Sequence, residues 1–474
     1  MLKYLNICCL TLGSISAVQV CAEPIPMTAD YWEVLTPNYE FVRYLDRDAL
    51  RVMPDSSTGD GVAVLKGKTS QEGTLEFDVA LNREPAFVGA LWRLQDTFMD
   101  GEMFYLRTQQ SGFPDASQYM PIYNGVPSWQ LYSKEGLYTQ GMTLDFDQWM
   151  HVKIQIAGAR GEIYVKDMSK PLLNLPLHRI PQPGMWALIV SSGVNPNATA
   201  YFSNVEFSSA TPTLQAPAPQ RPVAAPGTVL QWQVSDAFPK TELSGTLGLP
   251  DAVSNARTWK TFATDPDGLL NLAQNQGVGA IFSGNDTMLV KANLHTSQAQ
   301  TKALNIGFSD SVRVYLNGQL VFLGNDTYAS RDYRFLGIIG YYDTVPLQLR
   351  AGDNSLWLAI TETGFDGWGV KAQLEEASDV QISLAPSTTS SDGTKEIERL
   401  IAWAEATYPD LFDAAHQKSF NLGTLHVRHY PNSNVFLGIM ESLVYLQAPN
   451  NNLLEATLVG TVADFLPRVS QAGF

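Results

Sequence analysis

The sequence predicts a mainly β protein: two β-sandwich (jelly-roll) domains followed by a small α+β C-terminal domain. Three observations carry this. Short runs of apolar/polar alternation, of which TLEFDVALN (74–82) is the plainest, recur at even spacing between Gly, Pro, Asp and Asn. A long helical period is missing until KEIERLIAWAEATY (395–408). Two composition breaks, Pro/Ala-rich at 208–227 and Ser/Thr-rich at 384–395, cut the chain into pieces of domain size.

Taken in order, residues 1–22 read as a secretory signal peptide. Lys3 supplies the positive start, residues 4–20 are largely apolar, and Val20-Cys21-Ala22 offers a compact cleavage site. The expected location is secreted or periplasmic, with no membrane span after signal removal. Cys8, Cys9 and Cys21 are the only cysteines and all fall in this leader. The mature chain is therefore expected to lack disulfides and thiolate metal sites, and to rest on cores large enough to fold without them. A formal net charge of −16 without a basic run makes nucleic acid and anionic membrane poor partners.

Residues 29–207 carry the runs AFVGALWRL, MFYLRTQ, QYMPIYN, SWQLYS, WMHVKIQIAG, RGEIYVKD, MWALIVSS and AYFSNVEFSS, each expected as a strand. Residues 228–383 repeat the pattern, and Asn317-Gly318 between two alternating runs predicts a type I′ hairpin. In residues 396–474 the expected helix has Ile397, Leu400, Ile401, Ala404 and Tyr408 on one face and stops at Pro409. Strands are expected around LHVRHYP, VFLGIM and SLVYLQ.

The stretch FYLRTQQSGFPDASQYMPIYNGVPSWQLY (104–132) combines amides with aromatics and almost no charge. Period-two sorting places Arg93, Tyr105, Arg107, Gln109, Gln130 and Tyr132 on one sheet surface, with Asp115, Gln118 and Asn124 in or near its turns. Saccharides suit such a surface, because hydroxyls pair with amides and guanidinium groups while C–H faces stack on rings. Arg93, Tyr105, Arg107, Gln109, Gln118, Asn124, Gln130 and Tyr132 are the expected ligand-binding residues. The plainer alternative is a solvated face; Trp129 is assigned to the core.

The segments FVGALWRLQD, EMFYLRTQQSGFPDASQYMPIYNG, WQLY, WMHVKIQIAGARGEIYV and AYFSNVEF resemble a concanavalin A-like (laminin G-like) jelly roll of the 3-keto-disaccharide hydrolase-like type. VRVYLNGQLV, VPLQLRAGDNSLWLAI and TGFDGWGVKAQL are similar to a galactose-binding-like β-sandwich. IERLIAWAEATYPDLF, VRHYP, NVFLGI and VGTVADFLP resemble a short C-terminal module of secreted bacterial proteins. The first likeness implies a sugar-binding jelly roll, with or without catalysis; the Glu-x-Asp-x-x-Glu run of laminarinase-type relatives is not found.

Catalytic residues are not identified by motif. Glu76 and Asp78, on one strand face, and Asp115 are candidate acid/base carboxylates, each equally readable as a solvated strand or turn residue. Asp96, Asp100 and Glu102 in one loop are weak candidates for a structural calcium ion; otherwise no cofactor is expected. His151 reads as a strand residue. His426 and His429, three apart on a strand, make a poor chelate. The function expected is a secreted multidomain carbohydrate-binding protein that holds a polysaccharide or oligosaccharide on the concave sheet of its first domain without catalysis of its own. The alternatives are a glycoside hydrolase acting through that domain and a surface adhesion or scaffold protein.

Overall fold

The computed structural model describes residues 23–192, 195–364 and 366–384, together with the backbone of five strands between Lys418 and Thr461. The expected leader, most of the 384–395 break and the expected helix at 395–408 lie outside the described residues. So do the side chains of His426 and His429.

The architecture is mainly β. In the first sandwich, one sheet runs in spatial order Leu173–Pro176, Arg160–Val165, Trp149–Ala157, Gly73–Leu81, Ala200–Ser208, Arg47–Val52, Tyr39–Tyr44, all antiparallel; we call it the groove sheet. The other, the joint sheet, runs Val126–Pro127, Ser117–Tyr123, Gly101–Arg107, Phe87–Leu94, Gly184–Ser191, Asp60–Ser70, Trp32–Val34.

Alternation sets the packing. On Gly73–Leu81 the side chains of Leu75, Phe77, Val79 and Leu81 enter the intersheet core, where they meet Val88, Ala90, Trp92, Phe104 and Leu106 of the joint sheet. Burying each is worth about 1.5–3 kcal/mol. On Trp149–Ala157, Met150, Val152, Ile154 and Ile156 are buried, while Trp149, His151, Lys153 and Gln155 point outward. The same period that builds the core thus hands the opposite phase to the surface.

Two stretches depart from expectation. SWQLYS is a turn rather than a strand: the Leu131 and Tyr132 N–H groups donate to the Ser128 carbonyl at 3.1 and 3.2 Å. Pro127, which has no N–H to offer a ladder, ends the strand before it. Arg93 leaves the face assigned to it because the ladder slips opposite Met185 and Ala187, and Arg93 itself takes a positive φ of 50°. Gly184 allows the crowding at this bulge; a Cβ there would meet the Arg93 backbone at 2.3 Å.

Residues 209–230 hold no named strand and close with a turn at Pro226-Gly227. They are tied to the first sandwich: the Gln215 and Ala216 N–H groups donate to the Glu162 carboxylate at 2.9 and 2.7 Å. The second sandwich pairs a seven-stranded sheet centred on Thr287–Thr296 and Gly352–Thr361 with a four-stranded one, Leu270–Asn271, Gly369–Leu374, Gln300–Ser309, Asp343–Leu349. Asn317 and Gly318 form the expected hairpin, with φ of 52° and 80° between Ser311–Leu316 and Gln319–Asn325. In the C-terminal unit, strands Lys418–Leu422, Leu425–Tyr430, Val435–Met440, Leu443–Gln447 and Thr457–Thr461 form an antiparallel meander.

Candidate functional site

The eight expected ligand residues do not gather into a shared hollow. Gln130, Tyr132 and Asn124 reach the second sandwich instead. The Gln130 amide donates to the Leu336 carbonyl at 2.9 Å and its oxygen accepts from Ser309 at 2.8 Å. Tyr132 donates to Asp265 at 3.0 Å, and Asn124 to the Ala273 carbonyl at 2.7 Å. Beside them Trp129, expected in the core, lies on the outer face of the joint sheet and donates its indole N–H to Asp366 at 2.8 Å. The amide-rich stretch is therefore a joint between sandwiches.

The other five serve the first sandwich itself. Arg93 is buried between the sheets, paired with Glu102 at 3.1 Å and donating to the Gln71 and Gly158 carbonyls. Tyr105 donates to Gln118 at 2.9 Å, and the Gln118 amide donates to the Trp129 and Tyr132 carbonyls, both at 2.8 Å, pinning the 128–133 turn. Arg107 does share the face of Tyr105, but it is buried among the rings of Phe87, Tyr105 and Trp129, and Asp115 is its ion-pair partner. Asp115 is thereby spent as a counter-ion. Gln109 sits in a short 3-10 turn and accepts from the Ala86 N–H at 3.2 Å.

The calcium candidates also separate. Glu102 is fully buried and accepts from Trp92, Arg93 and Tyr119. Asp100 pairs with Arg179 at 2.6 Å, and Asp96 is exposed. Among the described residues no group of three metal-ligating side chains is brought together.

Glu76 and Asp78, in contrast, enter a built constellation. Both project from the outer face of Gly73–Leu81, and His151 on the neighbouring strand pairs in register with Asp78. One ring nitrogen of His151, Nδ1, lies 2.8 Å from Asp78 Oδ1; the other, Nε2, lies 3.1 Å from Glu76 Oε2. Asp78 also accepts from Arg47 and, at 2.8 Å, from Asn204.

Two local distortions aim those last donors. Arg47 follows a two-residue hairpin whose residues Leu45 and Asp46 both have positive φ, 46° and 59°. Such a turn favours Gly or Asn, so a leucine there is strained. Asn204 occupies a bulge in Ala200–Ser208, at φ 47°, a conformation asparagine tolerates. Neither Arg47 nor His151 carried a motif in the sequence. The opposed phases of GTLEFDVAL and WMHVKIQIA were the one available signal.

Electrostatics lock the cluster. Hydrogen bonds donated to Asp78, then to Glu76, raise the His151 ring to about 9, so it is an imidazolium at neutral pH. Burial pushes the Asp78 carboxyl up, but the hydrogen bonds of His151 and Asn204 and the charges of His151 and Arg47 outweigh it and hold Asp78 below its ordinary value. Around the cluster runs an open groove of about 900 Å³, walled by Pro24–Thr28 and by Phe41, Asp48 and Glu206. Beside it Tyr44 stacks on Tyr201 at 3.7 Å and meets the edge of Trp149 at 5.8 Å, with the Arg47 guanidinium 5.2 Å from the Trp149 ring.

No family model matches the sequence, and no curated protein matches it. Among solved structures, the chain is similar to a carbohydrate-binding module, CBM66 from Bacillus subtilis, at 18% identity and a TM-score of 0.29 over 38% of this chain and 98% of that one. The exoplasmic/lumenal domain of VIP36, in its Ca²⁺/Man3GlcNAc-bound form, matches at 12% identity and 0.31 over 42% and 93%. A Bacillus subtilis protein of unknown function with a galectin-like fold matches at 8% and 0.28 over 40% and 99%. Likenesses this slight carry no argument about function.

Proposed function

We propose that this protein is a secreted or periplasmic glycan-binding protein that holds an oligosaccharide or polysaccharide chain in the groove of its first sandwich without cleaving it. The observation that carries the reading is the groove itself. Its volume lies within the roughly 300–1,000 Å³ of ligand clefts. Its walls interleave five carboxylates, an imidazolium, two guanidinium groups and a carboxamide, beside an aromatic strip of Tyr44, Tyr201 and Trp149. Hydroxyl-rich ligands need donors and acceptors side by side, with a ring to stack on.

The same geometry favours holding over cutting. Hydrolysis of a glycoside calls for one carboxyl group kept protonated to donate to the leaving oxygen. Asp78 is held low and its oxygens already accept from His151, Asn204 and Arg47, so it anchors the cluster and has no proton to give.

The test is a glycan array on the full chain, followed by calorimetry with the best hit. Arg47→Ala should weaken binding by about 1.5–3 kcal/mol, the worth of a charged hydrogen bond, and sugar release should be undetectable. Unchanged affinity in Arg47→Ala, or release of reducing sugar abolished by Glu76→Gln, would reject the reading.

A further inference from the structure

A second, smaller cavity lies where the first sandwich meets the second, away from the groove. It encloses about 240 Å³. Its polar lining comes from both sandwiches: Tyr132, Tyr138 and His178 from the first, Asp265 and Lys371 from the second, with Arg221 from the connecting segment.

The polar groups are already oriented. Tyr138 hydroxyl and His178 Nε2 are 2.8 Å apart, and the Tyr132 hydroxyl donates to Asp265 at 3.0 Å. His178 Nδ1 is 3.1 Å from Asp265 Oδ2, but out of line for a hydrogen bond. Tyr132 and His178 rings pack 4.2 Å apart, giving the cavity a rigid aromatic wall. Burial, reinforced by Asp265, raises both tyrosine hydroxyls, so they stay protonated and serve as donors.

The charge balance is what separates this cavity from the rest of the molecule. The chain carries a formal −16, yet here Lys134, Arg221 and Lys371 face two carboxylates, Asp265 and Asp267. Arg221 spends one N–H on the Leu177 carbonyl at 2.9 Å and has no carboxylate partner among the described residues; Lys134 likewise has none. Lys371 stands 3.8 Å from Asp267, a loose pair. A guanidinium with free N–H groups in a partly enclosed site suits a carboxylate, and Asp265 with the tyrosines suits hydroxyls.

We propose that this cavity is a second ligand site that takes one acidic sugar of hexuronate size, its carboxylate held by Arg221 and Lys371 and its hydroxyls by Asp265 and the tyrosines. The site stands independently of the groove. It needs both sandwiches, because the aromatic wall comes from the first while Lys371 and Asp265 come from the second.

Calorimetry of the full chain with galacturonate and glucuronate, against galactose and glucose, tests it. The uronates are expected to bind, with the neutral sugars weaker by about tenfold or more, the usual worth of a charged pair. Arg221→Gln and Lys371→Met should each reduce uronate affinity by a similar factor, and Lys134→Gln, at an exposed position, by less. Arg47→Ala in the groove should leave uronate binding unchanged, so failure of either site is seen separately. Equal affinity for charged and neutral sugars would overturn the proposal. So would uronate binding that survives both substitutions, or no uronate binding at millimolar concentration by protein whose near-ultraviolet dichroism is intact.

Discussion

Ser309 donates its hydroxyl to the side-chain oxygen of Gln130 at 2.8 Å, a fully buried bond between residues 179 positions apart and on different sandwiches. Around it Gly337 and Gly369 leave no room for a side chain: a Cβ on Gly337 would lie 2.3 Å from the Gln130 amide nitrogen, and one on Gly369 2.5 Å from Leu131. Gln130 and Leu131 thus form a plug seated in glycines of the second sandwich.

Gln130→Ala should therefore destabilise the protein. It leaves the Ser309 hydroxyl buried without a partner, at about 1–3 kcal/mol, and removes the donor to the half-buried Leu336 carbonyl. Urea denaturation followed by tryptophan fluorescence measures the loss. Glycan affinity of the surviving folded protein should not change.

Arg107→Ala should also cost stability rather than ligand affinity. The substitution strands Asp115 and removes the cation from among the Phe87, Tyr105 and Trp129 rings. Breaking a buried pair from one side costs about 3–5 kcal/mol. Arg107→Met, which keeps much of the packing, should recover part of it. A drop in glycan affinity with unchanged denaturation midpoint would return Arg107 to the ligand surface.

The groove cluster predicts a pH window. The His151 value is raised above that of an unfolded chain, about 6.5, so its contribution is complete below that pH and is lost as pH rises through about 9. The Asp78 value is lowered, so its contribution is complete above the ordinary carboxylate value and is lost as pH falls through the depressed one. Thermal denaturation across pH should show both limbs, and His151→Gln should flatten the alkaline one. An alkaline limb identical in that variant would disprove the assignment.

Glu362 acts in the opposite sense. It is fully buried, and burial, with the charges of Asp310 and Asp366, pushes its carboxyl well above the ordinary value. Stability is then greatest below the unfolded value of about 4.3 and declines as pH rises toward the folded one. Glu362→Gln keeps the oxygen that accepts from the Gly364 and Asp366 N–H groups at 2.9 and 3.3 Å. The variant should gain on the parent as pH increases from about 4 to about 8, read from paired urea midpoints; a gap that does not widen would count against it.

Strands were legible wherever one face meets a core, as in TLEFDVALN and WMHVKIQIAG, because burial of alternate residues leaves a period-two trace. The destination of an outward face left no such trace. Gln130 and Asn124 have the same composition whether they meet a sugar or the Leu336 and Ala273 carbonyls. Only the fold brings those carbonyls near. Glu76 and Asp78 were visible as a pair, but Arg47 and Asn204 reach Asp78 through a strained hairpin and a bulge, which local alternation does not announce. Arg93 was lost to the same cause, a single slipped residue in its ladder.

The plug of Gln130 and Leu131 has a consequence for how the molecule comes apart. Severing the chain after residue 207 would uncover Leu131 and deprive Ser128, Gln130 and Tyr132 of Asn271, Ser309 and Asp265. The two sandwiches are therefore expected to melt as one cooperative block, with neither behaving as a free-standing cassette to be moved between proteins.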